Sequence, residues 1–593
     1  MAGAHSLPAD LLRRCLEPLD HRSLLAAAGT SREWREAALC ESLWRSRYAA
    51  DFARSAGSRS GSSTLGCPAA RLYPEAEPGA SSAGASPGGW RQAYKERAEV
   101  ENNWQRGRCS SVHLRGHRDY IRCAQLGPGG ATLATCSGSY MHRDCSIRLW
   151  DVSSGQCSEH LRGHQGPIWS MQYDGARLAS CCDEGIVRLW DLGSHRVGVA
   201  SALQDCSLRC LGMDERQLVV GGESGLLALW PLDGIHRTLE ESDELPLPEQ
   251  EEEADGEDGE GGGFPAWQEV ALEAGAAGVQ PALARSPHQS PALSPAISCL
   301  QVDGRLCASG ESSRSQGFVQ LWNTEGDELR HRAQLAGHRG GVSTLSFQHS
   351  TGWLVAGSGV GAIWLWDLAS AQAVRELRGH TGYVLCHQQS GALLASGSAD
   401  RTVRLWDLRC GEGGAQHKVP LDSFPYSLQM DDRRLVAGCA NGMVQFVDLR
   451  CLHTAKGGSG GAAKPTVLPA YTMLPAHRER VWALALSETR LISASLDASV
   501  VVRSFRPEDV ESWEASSVRS GRRGNDHGLS SSGSDDELDS AYDSEHSEGE
   551  EEEEADGEEE EELEDGEASE EEGSDGSASE REDGDREDHE DAA

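Results

Sequence analysis

Three things are scarce in this 593-residue chain, and each scarcity closes off a class of function. No apolar run reaches the ~18 to 20 residues that cross a bilayer as a helix. The N-terminus carries Asp10, Arg13 and Arg14 where a signal peptide needs an apolar core. The expectation is a soluble chain, cytoplasmic or nuclear, with no membrane partner. Paired cysteines are also missing. The 18 Cys are scattered without any CxxC, and the closest pairs, Cys181 with Cys182 and Cys206 with Cys210, lack His or Cys partners at zinc spacing. They read as reduced thiols in the core, with no metal and no cofactor. Positive charge is nearly absent from two segments: Glu240 to Glu260 has 12 acidic residues and none basic, and Asp535 to Ala593 has 33 acidic and 2 basic. These segments account for the formal net charge of −40, and the remainder nets +3. Such stretches cannot bury a core, and an acidic chain is a poor match for nucleic acid.

What the chain does have is an internal repeat. LRGHTGYVLCHQQSGALLASGSADRTVRLWDL, from Leu377 to Leu408, is echoed by LRGHQGPIWSMQYDGARLASCCDEGIVRLWDL, from Leu161 to Leu192. In both, a Gly-His histidine lies 26 residues before a Trp-Asp tryptophan: His164 to Trp190 and His380 to Trp406. Weaker copies run from His113 to Asp151, Ala202 to Leu232, Pro295 to Asn323, His338 to Asp367, Leu421 to Asp448 and His477 to Phe505, which makes eight units. Alternating apolar residues such as Leu394, Val403 and Leu405, broken by Gly or Asp, predict short antiparallel strands.

Four strands cannot bury both faces alone, and stacking units around an axis solves this. Here the units resemble WD-repeat β-propellers, whose blades are four-stranded. The fold class expected is therefore mainly β, an eight-bladed propeller, or a seven-bladed one if a weak unit is not a blade. The orphan strand Ser110 to Leu114 would complete the last blade and close the ring.

Ahead of the repeats, Leu7, Leu11, Leu12, Leu16 and Leu19 recur as a helical stripe, with Pro8 in its first turn. Thr30 to Glu33 fits a capping box leading to Trp34. A module of about 45 residues is too small to build a sufficient core unaided, so a partner on its apolar face is expected. Leu7-Pro8, Leu11-Leu12, the Leu19 to Leu24 segment, Trp34-Arg35 and Leu43-Trp44 resemble the F-box, and Trp90 to Gly107 resembles the helical connector that F-box/WD-repeat proteins place before the first blade. The expected organisation is an F-box at 1–50, a disordered linker at 51–89, a helical connector at 90–108, and a propeller at 109–507. A disordered acidic insertion at 233–289 interrupts the propeller, and a disordered acidic tail follows at 508–593.

The resemblance implies a non-catalytic substrate receptor of an SCF-type ubiquitin ligase. Leu7, Pro8, Leu11, Leu12, Leu16, Leu19, Leu24, Trp34, Leu43 and Trp44 would dock a Skp-type adaptor, and through it a cullin and a RING subunit. His380, Ser396, Asp400 and Trp406 would form a structural tetrad, not a catalytic triad, because the set recurs around the ring. Glu184, Val360 and Arg503 depart from that pattern. In related propellers the residue after the apolar position that follows Gly-His faces the mouth. That position gives Arg122, Trp169, Arg209, Ser298, Ser343, Leu385, Tyr426 and Trp482, and Arg143 would join them. Arginine pairs with carboxylate or phosphate and aromatics dominate hot spots, so Arg122, Arg143, Trp169, Arg209, Tyr426 and Trp482 are the expected contacts to a protein substrate with an acidic or phosphorylated degron. Ser286, Ser290 and Ser294 each precede Pro, and Ser534, Ser544 and Ser547 precede acids, as kinase sites do. The rival reading is a WD-repeat scaffold, chromatin-linked through its acidic segments.

Overall fold

The computed structural model describes residues 16, 24, 34, 37–52, 62–63, 67–68, 89–519 and 530–531. Within 89–519 it leaves out 139–143, 202–205, 236–266, 272–280, 286–294, 313–316, 326–327, 336, 349–350, 410–416, 454–465 and 474–476.

The alternation in each repeat folds into a meander of antiparallel strands. In the clearest copy, Val384–Ser390, Leu393–Ser398, Thr402–Asp407 and His417–Pro420 pair in sequence order. Val403 and Leu405 are buried on one face with Ala395, and Leu394 on the other with Trp406, as a period of two requires of a sheet covered on both faces. Eight such sheets make an eight-bladed propeller. Their innermost strands are Ile121–Leu126, Ile168–Tyr173, Leu208–Met213, Ala296–Asp303, Val342–Gln348, Val384–Ser390, Pro425–Met430 and Val481–Leu486, for blades one to eight. Core clusters bridge neighbouring blades: Cys386, Ala395 and Leu405 of blade six pack with Leu428, Leu435 and Val447 of blade seven. No single blade therefore has a core of its own.

Ring closure follows the expected route. Ser110–Leu114 pairs antiparallel with Val500–Ser504, from Ser110 opposite Ser504 to Leu114 opposite Val500. Buried Arg490 of blade eight crosses the seam, donating to the Gly130 carbonyl and to Ser153 Oγ of blade one, both at 3.1 Å.

Three helices whose two ends lie among the described residues adjoin the ring: α1 (Glu41–Phe52), α2 (Gly89–Arg106) and α3 (Pro507–Arg519). At one end of α2, Trp90 and Tyr94 pack with Leu16, Leu24, Ala37, Ala38, Leu43 and Trp44. At the other, Val100 and Trp104 pack with Val436, Phe446, Leu484, Leu491 and Phe505, and Trp104 stacks on Phe505 with centroids 3.5 Å apart. Polar contacts lock the same helix: Trp104 Nε1 donates to the Glu488 carbonyl at 3.1 Å, and Arg97 meets Glu488 at 2.6 Å. Buried Glu101 accepts from Arg434 and lies 3.4 Å from Arg433. Arg433 in turn donates to the Asp51 carbonyl and sits 5.0 Å over Phe52.

The structure corrects three expectations of disorder. The segment 233–289 contains two strands. Ala282–Arg285 completes blade three, and Gln268–Ala271 adds a parallel fifth strand to blade two, with Trp267 edge-on to Trp190 at 5.4 Å. Four-residue strands are too short to show periodicity. In the stretch 51–89, α1 extends through Phe52, α2 starts at Gly89, and Ser62–Ser63 pairs with Cys67–Pro68. The tail begins as α3, with Val510 buried and Arg108 bridging Glu514 at 2.8 Å. Pro507 at its start and Glu508 and Asp509 in its first turn are helix-start signals.

Candidate functional site

The repeated His, Ser and Asp form a scaffold. In blade six His380 Nδ1 meets Asp400 Oδ2 at 2.9 Å and Nε2 meets Ser396 Oγ at 2.8 Å, while Trp406 Nε1 donates to that Oγ at 2.8 Å. Burial alone would raise the Asp400 carboxyl, but bonds from His380, Thr402 and the Thr381 amide outweigh it and hold its pKa low. Blade one repeats the set with Thr135 in place of serine, and blade eight with Arg503 where the tryptophan stands. Ser396 is fully buried and its oxygen already accepts from Trp406, so the set holds strands together. In blade two, where Glu184 replaces the Asp, His164 Nδ1 has no hydrogen-bond partner, and burial beside Arg188 pushes the ring down to about 3.

The eight mouth positions share one local cause. In every blade the innermost strand carries a β-bulge against its neighbour, and the skipped residue is Arg122, Trp169, Arg209, Ser298, Ser343, Leu385, Tyr426 or Trp482. The flanking residues, Ile121 and Cys123 for example, pair with Ser137 and Cys136, and Arg122 is left out. A bulge frees a residue from the ladder and re-aims its side chain, which is why bulges gather at functional sites.

Five of these residues join into one arc across blades seven, eight, one, two and three. Tyr426 stacks on Trp482 with centroids 5.2 Å apart and planes 20° apart. The Arg122 guanidinium lies 5.9 Å from the Trp482 ring and 4.0 Å from Trp169, and Arg209 lies 3.7 Å from Trp169. Three members are also tethered by hydrogen bonds. Arg122 Nε donates to the Gly138 carbonyl at 3.0 Å, Trp169 Nε1 to Asp183 at 3.0 Å, and Arg209 Nε to Glu223 at 2.7 Å. All five are half-buried, so they are held in place yet reachable. Arg480, which the sequence reading passed over, extends the arc: it is exposed, lies 5.4 Å from the Tyr426 ring and donates to its hydroxyl at 3.4 Å. Its signal was its place immediately before the inner strand Val481–Leu486.

The other side of the mouth is different in kind. Ser298 and Ser343 turn their hydroxyls onto the next blade's backbone, at 2.5 Å to the Val342 carbonyl and 2.6 Å to that of Val384. Leu385 is half-buried, and Val360 and Tyr383 are exposed in the turns nearby. The mouth therefore offers guanidinium and aromatic surface on one side and small or apolar groups on the other. Arg143 lies outside the described residues. Among the described residues no cluster of His, Cys, Asp or Glu is placed to hold a metal ion, and no helix is long and apolar enough to cross a membrane.

Part of the expected adaptor-facing set lies inside the N-terminal module itself. Leu16, Leu24, Leu43 and Trp44 are buried within the N-terminal module, where Trp44 Nε1 also donates to the Ala38 carbonyl at 2.8 Å. Trp34 is half-buried against the same cluster. These side chains build the module's core, and α2 covers part of its apolar face through Trp90 and Tyr94. The signal was that Trp90 and Tyr94 repeat at helical spacing. Leu7, Pro8, Leu11, Leu12 and Leu19 lie outside the described residues.

Comparison with known proteins agrees with both modules. The pattern of the WD domain, G-beta repeat, matches residues 107–151, 155–191, 329–367 and 371–407, and that of the F-box-like family matches residues 4–50. The F-box/WD repeat-containing protein pof1 of Schizosaccharomyces pombe is 43% identical over 67 residues, 11% of this chain and 10% of its own length. The U5 small nuclear ribonucleoprotein 40 kDa protein of Dictyostelium discoideum is 29% identical over 153 residues, 25% of this chain and 41% of its own. The ribosome biogenesis protein YTM1 of Yarrowia lipolytica is 25% identical over 304 residues, 48% of this chain and 56% of its own. The chain thus covers less than two thirds of each of these relatives. With an F-box-like segment at one end of α2 and WD repeats closed into a propeller at the other, the chain belongs to the F-box/WD-repeat protein family.

Proposed function

We propose that this chain is the non-catalytic substrate receptor of an SCF-type ubiquitin ligase. The F-box-like module docks a Skp-type adaptor that leads to a cullin and a RING subunit, and the propeller mouth holds the protein to be modified. The observation that carries this reading is α2, an 18-residue helix of about 27 Å whose two ends are buried in two different cores. A receptor of this kind supplies no acid, base or nucleophile. It raises the effective concentration of substrate lysines near a charged E2, and that works only if the two docking faces keep a fixed spacing.

At the mouth, the arc from Tyr426 to Arg209 fits a segment that brings a carboxylate or phosphate to the guanidinium groups and an aromatic or aliphatic anchor to Trp169 and Trp482. Arg209 is paired with Glu223 and both Arg122 and Arg209 stack on Trp169, so the anion has two partly engaged cations to meet, a setting that favours an acidic peptide over a multiply phosphorylated one.

The test is reconstitution with purified adaptor, cullin and RING subunit. Leu7→Ala with Pro8→Ala should abolish co-elution with the adaptor. Trp169→Ala and the charge reversal Arg122→Glu with Arg209→Glu should keep co-elution but lose at least tenfold in capture of substrates. A chain that folds and binds no adaptor would favour the scaffold reading. Capture unchanged by the mouth variants would move the substrate site elsewhere.

A further inference from the structure

Of the chain's 54 cationic side chains, fifty are arginines and four are lysines: Lys95, Lys418, Lys456 and Lys464. Lysine is ordinarily among the commonest residues of a globular protein. At some positions the guanidinium is required. Arg434 lies 4.4 Å over the Trp104 ring while bonding Glu101, and Arg490 bonds two groups across the ring seam. At others it is not. The side chains of Arg330, Arg378 and Arg409 are 67, 80 and 72% exposed, each beside a carboxylate two residues away, where an ammonium would carry the same charge. Asparagine is nearly as scarce, with five in the chain, so the skew belongs to the whole composition. Its chemical consequence does not depend on its origin.

That consequence concerns the reaction the receptor reading implies, on which this inference rests. The nitrogen of a neutral lysine attacks the E2 thioester carbonyl, the C–N isopeptide bond forms, the C–S bond breaks with the E2 thiolate leaving, and the amine's proton passes to water. Nothing is oxidised or reduced. A guanidinium stays protonated and delocalised, so it does not serve as the acceptor. We propose that the assembled ligase modifies its own receptor at no internal positions other than these four lysines, and that the receptor is thereby spared while a lysine-bearing substrate at the mouth is consumed. Of the two acceptors within the described residues, Lys95 stands on α2 with its side chain 65% exposed, 3.6 Å from Glu99. Lys418 is half-buried in the outer strand of blade six, its carbonyl bonded by the Leu468 amide at 2.9 Å. Lys456 and Lys464 lie outside the described residues.

The experiment reconstitutes the full chain with adaptor, cullin, RING subunit, E1, E2 and ubiquitin. It compares the natural sequence with a variant carrying Arg330→Lys, Arg378→Lys and Arg409→Lys, which keeps every charge and leaves the mouth arc and the F-box-like module untouched. Adaptor co-elution and discharge of the E2 thioester onto free lysine should be equal for the two. Self-modification should rise by up to about twofold in the variant, which has seven acceptors against four, and map by mass spectrometry to the added residues, because acceptors tethered near one thioester react in proportion to their effective concentration. In the natural sequence, Lys95→Arg, Lys418→Arg, Lys456→Arg and Lys464→Arg together should remove all modification of internal residues. Equal self-modification of the two chains, or added lysines left bare, would overturn the inference while co-elution and discharge stay intact. Loss of co-elution or discharge in the natural chain would instead overturn the receptor reading, and this inference with it.

Discussion

Blades five and six stand side by side on one plan, yet their interiors differ. In blade six His380, Asp400, Ser396 and Trp406 satisfy one another. In blade five Ala356 holds the register of Ser396 and Val360 that of Asp400. There neither ring nitrogen of His338 nor Nε1 of Trp366 has a hydrogen-bond partner. Both blades nevertheless keep the four-stranded meander, to which blade six adds Thr466–Val467 in parallel, and both keep the same bulge and a tryptophan 1% exposed. Apolar burial therefore suffices to make a blade, and the tetrad adds stability on top of it. Neither feature decides the residue shown to the mouth, Ser343 in one and Leu385 in the other. Scaffold and recognition are written at different positions of the same repeat.

The comparison breaks first at Ser396. Ser396→Ala would make blade six resemble blade five without the repacking that blade five has, leaving Trp406 Nε1 and His380 Nε2 buried and unpaired. The expected loss is about 3 kcal/mol, from two orphaned groups at ~1 to 3 kcal/mol each. Urea unfolding followed by tryptophan fluorescence should show a lower midpoint with an unchanged slope. The Ala356 side, already lacking the hydroxyl, has nothing equivalent to lose.

Acid sharpens the contrast by a smaller amount. The folded pKa of Asp400 lies below the unfolded value of about 3.9. Its contribution is therefore complete above that pH and is lost as pH falls through the folded value. Asp144 of blade one and Asp497 of blade eight are held low in the same way, against burial, chiefly by His117 and His477. Asp400→Asn should cost about 1 to 2 kcal/mol at pH 7. It should also flatten the fall in stability below about pH 4, read as the thermal midpoint across pH. An acid limb unchanged in this variant would mean that the tetrad carboxylate is not what acid attacks.

Most of the ring was legible because a Gly-His followed by Trp-Asp at fixed spacing recurs with the alternation of a strand, and the closing strand Ser110–Leu114 follows from counting strands per unit. The mouth residues were legible by position, though the bulge that re-aims them is a pairing event between strands and leaves no mark in one strand alone. Ala356 was readable too, once Leu354 is aligned with Leu394. What stayed hidden depends on contacts distant in the chain. The strand Gln268–Ala271 exists because blade two offers an edge, and the burial of Trp44 is decided by Tyr94, fifty residues on, whose ring meets it edge-on at 5.2 Å. Periodicity identifies an apolar face without saying whether another part of the same chain or a separate protein covers it.

The smallest effect lies in blade five. Burial pushes the His338 imidazole down to about 4, against about 6.5 in the unfolded chain. Between those values the unfolded state binds the proton and the folded state does not, so stability falls as pH drops below 6.5 and stops falling near the folded pKa. At pH 5.5 this costs about 1 kcal/mol relative to pH 7.5. His338→Phe removes two unpaired buried nitrogens and keeps a ring 5.4 Å from Trp366. At pH 7.5 the change should stay within about 1 kcal/mol of neutral, because an apolar group of similar shape replaces a polar one with no partner. The variant's stability should also decline less between pH 6.5 and 4. Urea midpoints at pH 7.5 and 5.5 for both chains separate the two effects. A loss at pH 7.5 as large as that of Ser396→Ala would show that His338 is paired in solution, through water for instance, and that the two blades are more alike than their side chains indicate.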